Sequence, residues 1–211
     1  MSIGLIEHQA DLRDAASSAV YNNSAINAWR GYAIDKCPAD LIAYQQIIHA
    51  LKPEIIIETG TWYGGSALFF ADMCELVDHG KVLSIDILAR SPLPVHPRLT
   101  YLAGDSTGPI MGLRVLAWAE GKKGLVVLDS DHTKEHVITE MDEYHQFVAP
   151  WNYMIVEDTN INNHPVRADF GPGPWEAVDE WLPEHPSFRP DRWVEPYLTY
   201  APGGYLRREQ P

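Results

Sequence analysis

Cysteine is nearly missing from this chain: Cys37 and Cys74 are the two thiols among 211 residues. Two thiols supply neither a disulfide framework nor zinc-ligand spacing, so a reduced, cytoplasmic setting is expected. Basic residues are scarce too, 16 against 29 acidic ones, and the formal net charge is −13 at pH 7. A field of that sign disfavours nucleic acid and anionic membrane as partners. No apolar run approaches the ~20 residues that span a bilayer, and the N-terminus lacks the charged-then-apolar order of a signal peptide. Internal repeats and low-complexity tracts are lacking as well. The expectation is one domain over residues 1–211, long enough to bury a substantial core.

What the chain does have is a series of short apolar runs that each lead into an acidic residue. Ile55, Ile56 and Ile57 have the composition of a parallel strand buried on both faces. Glu58 follows, then a turn containing Gly60, Gly64 and Gly65, then an apolar stretch of helical length from Ala67 to Val77. Strand, glycine turn and helix make the first half of a nucleotide-binding βαβ unit. There the glycines allow close backbone approach and the helix start offers unpaired N–H groups. The spacing is not Gly-x-Gly-x-x-Gly, so packing alone is an equal reading of this segment.

Lys81–Ile85 reads as a second strand ending at Asp86, placed where such folds bind the ribose diol. Leu99–Ala103 is a third strand, followed by Gly104-Asp105-Ser106, either a simple turn or an adenine contact. Leu125–Leu128 enters Asp129-Ser130-Asp131-His132, and a helix is predicted over Lys134–Val148 with Glu140, Glu143 and His136 on a solvated face. Tyr153–Val156 leads into Glu157-Asp158. The segment 159–173 lacks any period and reads as an active-site loop or a disordered one. A helix opening at Gly173-Pro174 follows, and then two strands at Tyr197–Tyr200 and Gly204–Arg207. Upstream, residues 1–40 form a surface helix (Ile6–Val20) and an irregular arm (Asn22–Pro38), and Leu41–Leu51 is a sheet-packing helix.

Strands alternating with helices imply parallel pairing, which puts every strand's C-terminal tip on one edge. Asp129, Glu157 and Asp158 then come from tips about 4.8 Å apart. Crowded carboxylates repel unless some protonate or a cation joins them, and all-oxygen ligation favours magnesium, calcium or manganese. The other reading is that one acid caps a helix or pairs with Arg167 or Arg114. His132 sits at the same edge at a helix start, where the dipole is expected to lower its pKa and suit it as a general base. Asp131 either orients that ring or joins the metal shell.

With these residues placed, the chain resembles the cephalosporin-hydroxylase-like family, which includes S-adenosylmethionine- and magnesium-dependent O-methyltransferases of macrolide sugars. The matching segments are Cys-Pro-Ala-Asp-Leu at 37–41, the sixteen residues 52–67, Leu-Asp-Ser-Asp-His-Thr-Lys-Glu-His-Val at 128–137, Val-Glu-Asp-Thr at 156–159, Gly-Pro-Trp-Glu-Ala-Val at 173–178 and Pro-Gly-Gly-Tyr-Leu at 202–206. The resemblance implies an α/β class I methyltransferase fold, Rossmann-like: a mostly parallel seven-stranded sheet with helices on both faces and a final antiparallel strand. It implies that Asp129, Glu157 and Asp158 hold Mg2+ (or Mn2+) and that His132 is the base. Glu58, Gly60, Tyr63, Gly64, Ser66, Asp86, Asp105 and Ser106 would form the S-adenosyl-L-methionine pocket. The extra N-terminal domain of larger members is not seen, so their substrate contacts from that region do not carry over.

The expected activity is methyl transfer to a hydroxyl of a small-molecule acceptor, a natural-product sugar or polyol, with Trp29, Tyr32, Trp62 and Tyr63 as acceptor-side aromatics. A homo-oligomer is compatible with the resemblance. The competing expectations are an iron/2-oxoglutarate hydroxylase, a dinucleotide dehydrogenase and a non-catalytic nucleoside-binding protein. The chain has no His-x-Asp or His-x-Glu pair, which disfavours the first.

Overall fold

The computed structural model describes residues 3–22, 27–88 and 90–209, with side chains from residue 12 onward. Helix α1 (Ile3–Asn22) leads to a short antiparallel hairpin of β1 (Asn27–Trp29) and β2 (Tyr32–Ile34). Helix α2 (Pro38–Leu51) starts on a proline, whose missing N–H is one the first turn leaves unpaired anyway. The repeating part follows: β3 (Ile55–Thr59), α3 (Gly65–Leu76), β4 (Lys81–Asp86), β5 (Leu99–Ala103), α4 (Pro109–Ala119), β6 (Leu125–Leu128), α5 (Lys134–Tyr144) and β7 (Tyr153–Val156). Helix α6 (Pro174–Trp181) and the strands β8 (Phe188–Pro190) and β9 (Tyr205–Arg208) close the chain.

Seven strands form one sheet in the order β5-β4-β3-β6-β7-β9-β8. The first five are parallel, and β9 runs antiparallel between β7 and β8. Alternate residues serve opposite cores. Ile55, Ile57, Ile85, Val126, Leu128 and Val156 pack against α4, α5 and α6. Ile56, Val82, Val127 and Ile155 pack against Tyr44 and Ile48 of α2 and Phe69 and Phe70 of α3. All three isoleucines of β3 are fully buried. Each stabilises the fold by roughly 1.5–3 kcal/mol relative to an exposed side chain, which is why an unbroken β-branched run belongs here.

Three expectations need correction. Tyr197–Tyr200 is not a strand: Asp40, in the first turn of α2, accepts the Tyr200 N–H at 2.9 Å and the Thr199 hydroxyl, so that backbone bonds to a helix. The partner of β9 is Phe188–Pro190, too short to register as a period. The arm at 27–36 is not irregular but a hairpin docked on α3, with Trp29 edge-on to Phe69 and its indole N–H donating to Asp72 at 2.7 Å. The expected helix to Val148 ends at Tyr144 and continues as a 3-10 turn through Phe147.

Candidate active site

The sheet register fixes where the acids stand. Thr59 pairs with Leu128 and Leu128 with Val156, so Gly60, Asp129 and Glu157 leave the sheet side by side. The Asp129 N–H donates to the Thr59 carbonyl at 3.1 Å, and the Glu157 N–H to the Leu128 carbonyl at 3.0 Å. Above these tips lies a cavity of about 710 Å³, whose walls include Gly60, Ser66, Asp86, Asp105, Ser106, Asp129, His132 and Asp158. Of the residues expected at the site, Glu58, Tyr63, Gly64 and Glu157 do not reach its wall.

Asp129, His132 and Asp158 converge: one ligand atom from each lies within 4.8 Å of the others. His132 Nε2 stands 3.4 Å from Asp129 Oδ1 and 3.3 Å from Asp158 Oδ2. It is buried there without the alignment of a hydrogen bond. Two carboxylates around a buried imidazole nitrogen that has no hydrogen bond fit a divalent cation. Hard oxygens suit magnesium or manganese, with the imidazole beside them. Burial pulls the His132 pKa down, but the charges of Asp158 and Asp129 more than reverse it, to about 9. The helix start therefore does not set this pKa as expected; two carboxylates closer at hand outweigh the dipole. Asp158 is pushed up to about 6 by burial, against the pull of His132. Asp131 accepts the Thr133 N–H at 2.8 Å and so serves the entry to α5.

Glu157 is placed differently from the expectation. Its side chain points to the α2 side of the sheet, as that of Asp129 does, but it is held in the core there by Tyr44 and Lys36 and does not join Asp129, His132 and Asp158. It is 2% exposed, accepts a short hydrogen bond from the Tyr44 hydroxyl and lies 2.7 Å from Lys36 Nζ. Lys36 Nζ also stands 2.6 Å from Asp129 Oδ2. An acid of the cluster does pair with a base, the alternative the sequence leaves open. The base is a buried lysine rather than Arg114, which reaches the Ala103 carbonyl, or Arg167, which lies over Phe170.

On the opposite side of the cavity, Asp86 accepts the N–H groups of Trp62 and Leu88, each at 2.8 Å, which holds its carboxylate at the tip of β4. Asp105 Oδ1 accepts the Thr107 N–H and hydroxyl, so it is a turn former as well as a wall residue. Glu58 lies beneath the floor, accepting the Ser84 hydroxyl at 2.6 Å, and burial pushes its pKa up to about 7. Gly60 and Gly64 are glycines for packing. A Cβ on Gly60 would meet the Asp129 carbonyl oxygen at 1.8 Å, and one on Gly64 would meet Pro94 Cδ at 2.7 Å. Tyr63 is turned outward, against Trp62 and beneath Arg90.

The α5 face read as solvated is not. Glu140 is fully buried, accepts the Ser130 hydroxyl at 2.7 Å and lies 3.4 Å from His136 Nε2. His136 lines the cavity beside Ser106, with a hydrogen bond of 3.2 Å between them. Its pKa is raised, chiefly by the bond to Glu140. Residues 159–173 do not line this cavity; Asn163, His164 and Pro165 border a second one with Arg13, Trp175 and Arg192. Lys36, Ser130 and His136 are among the wall residues that the sequence pattern does not assign to the site, as are Tyr21, Asp35, Arg90 and Tyr200. The α5 start, where a helix face meets a strand tip, is the signal that points to Ser130 and His136.

Five parallel strands, an antiparallel closing pair and an acid-rimmed cavity over the parallel tips define the class: this is a class I methyltransferase fold. Residues 21–209 match the family described as Rhamnosyl O-methyltransferase/CmcI. The rhamnosyl O-methyltransferase of Mycobacterium tuberculosis H37Rv is 35% identical over 192 residues, covering 87% of this chain and 76% of that protein. The Mycobacterium leprae rhamnosyl O-methyltransferase is 34% identical over 199 residues, covering 90% and 87%. Among solved structures, CmcI with magnesium and S-adenosylmethionine superposes with a TM-score of 0.63 at 18% identity, covering 88% of this chain and 77% of that one. The chain belongs to the rhamnosyl O-methyltransferase/CmcI family and is, with it, an O-methyltransferase.

Proposed function

We propose that this protein transfers the methyl group of S-adenosylmethionine to a hydroxyl of a small-molecule acceptor, a sugar or polyol, with a divalent cation at Asp129 and Asp158. The carrying observation is the convergence of Asp129, His132 and Asp158 in one gap on the wall of the cavity that also holds Asp86 and Ser106. Support comes from the mycobacterial relatives named as rhamnosyl O-methyltransferases and from the CmcI structure that carries magnesium and S-adenosylmethionine. S-adenosylmethionine supplies an electrophilic methyl group, and the cation supplies Lewis acidity toward the acceptor oxygen. Asp86 offers its carboxylate to the ribose diol, with Ser66, Gly60 and Ser106 on the surrounding wall. His132, beside the cation rather than bound to it, would take the hydroxyl proton once the cation's charge at Asp129 and Asp158 has displaced the proton those acids otherwise hold on it; methyl would pass from sulfur to oxygen with S-adenosylhomocysteine as the leaving group, so holding the reactants in line would carry much of the rate. Trp62, Tyr21 and Tyr200 bound the acceptor side of the cavity. Trp29, packed on Phe69, and Tyr63, turned outward, do not.

Two free, buried cysteines suit a reducing compartment, and no helix among the described residues is long and apolar enough to cross a membrane. An iron/2-oxoglutarate hydroxylase is not favoured, because the sheet is doubly wound and not a jelly roll. The test is transfer of radiolabelled methyl from S-adenosylmethionine to a panel of rhamnosides and other glycosides, with magnesium and with excess chelator. Cation-dependent labelling of a sugar hydroxyl is expected. Labelling that persists in chelator, or none with any glycoside, would overturn the reading.

A further inference from the structure

Three acids leave adjacent strands on the same face. Glu58 shares the parity of Ile56, Asp129 that of Val127 and Glu157 that of Ile155, so all three point toward the α2–α3 side of the sheet. The cation gap lies between the outer oxygen of Asp129 and Asp158, beside His132. On the inner side a single base among the described residues meets these acids. Lys36 is 3% exposed, its Nζ 2.6 Å from Asp129 Oδ2 and 2.7 Å from Glu157 Oε1, with Glu58 as the third charge acting on it.

The hairpin brings that ammonium in. β2 runs so close to the start of α3 that a Cβ on Gly65 would stand 2.1 Å from the Ala33 carbonyl oxygen. Trp29 and Arg30 both clamp the hairpin to Asp72 at 2.7 Å. Lys36 then enters at the β2–α2 turn, and α2 supplies Tyr44 as the second partner of Glu157. A lysine this buried persists only where its charge is matched.

We propose that Lys36 is the internal counter-cation of the metal site: a positioning residue that engages Asp129 and Glu157 from behind and sets how strongly the site attracts a divalent ion. This rests on the proposed cation at Asp129 and Asp158. One fixed positive charge a few ångströms behind the gap weakens its field for a second cation. Without Lys36, the charges of Glu157 and of the inner oxygen of Asp129 stand uncompensated behind the gap. The site then gains a full negative charge while the cation-free protein loses stability. A merely structural lysine predicts the opposite for affinity, since loosening the ligands weakens binding.

The test is Mn2+ titration followed by the electron paramagnetic resonance signal of free Mn2+, with thermal melting of the same samples, on wild type, Lys36→Met, Lys36→Arg and Asp129→Asn. Wild type should bind one ion that Asp129→Asn loses; if it binds none, the cation reading itself fails, separately from the role of Lys36. Given that ion, Lys36→Met should bind Mn2+ roughly tenfold tighter or more, melt lower without the ion and show a larger rise in Tm on its addition. Lys36→Arg, which keeps the charge, should stay near the wild-type affinity. If Lys36→Met folds only with Mn2+ present, the proposal stands. Unchanged or weaker Mn2+ binding by Lys36→Met, or failure to fold even with Mn2+, would overturn it.

Discussion

Gly60 and Asp129 touch across the β3–β6 boundary: the Gly60 α-carbon, at φ +86°, faces the Asp129 carbonyl so closely that a Cβ would fall 1.8 Å from its oxygen. The glycine turn after β3 thus serves the carboxylate at the end of β6. Replacing Gly60 by alanine adds a strained backbone conformation to a clash that only backbone movement relieves. Gly60→Ala should lose on the order of 3 kcal/mol of stability in urea denaturation, and Mn2+ binding with it. A variant of unchanged midpoint would show that the two tips are not locked together.

In the proposed reaction His132 carries the proton step. His132→Ala should fold with a near-native Tm and bind S-adenosylhomocysteine as wild type does, while turnover falls about 10²–10⁴-fold. Isothermal titration together with labelled-methyl transfer checks both halves. Turnover within tenfold of wild type would remove His132 from the chemistry.

Asp40 gives the fold a pH signature. Burial and the nearby charge of Glu157 raise its pKa to about 7, against hydrogen bonds from Thr199, the Tyr200 N–H and the Tyr205 hydroxyl. The folded value lies above the unfolded one of 3.8. The folded state therefore binds this proton more tightly, and the associated stability, full below about pH 4, is lost as pH rises toward 7. Denaturation midpoints of wild type should fall over that interval. Asp40→Asn should fall less, while being about 1–3 kcal/mol less stable at pH 8 because one of three donors loses its acceptor. Parallel pH profiles for the two proteins would contradict this.

Much of this was legible in the residues, because strands buried on both faces write themselves as uninterrupted apolar runs. Leu125–Leu128 and Tyr153–Val156 are strands over those residues. The acids at their ends do reach one edge, and Asp129, His132 and Asp158 meet there. What was lost is side-chain direction. Counting by twos from Val127 and Ile155 sends both Asp129 and Glu157 toward α2, and it is the distant partners Tyr44 and Lys36 that keep Glu157 in the core. Asp158 escapes that parity by leaving the strand at φ +52°. Lys36 was hidden for another reason: its partners lie 93 residues on at Asp129 and beyond, and no local period marks a buried ammonium. Glu140 reads as solvated by residue type and is buried because Ser130 and His136 satisfy it.

The cation gap is the centre of the account, and anomalous scattering from a crystal soaked with Mn2+ and S-adenosylhomocysteine tests it most directly. One peak should lie within bonding distance of carboxylate oxygens of both Asp129 and Asp158, with the nucleoside reaching toward Asp86. A saturating soak that leaves that gap without a peak, or places the ion elsewhere, would contradict it.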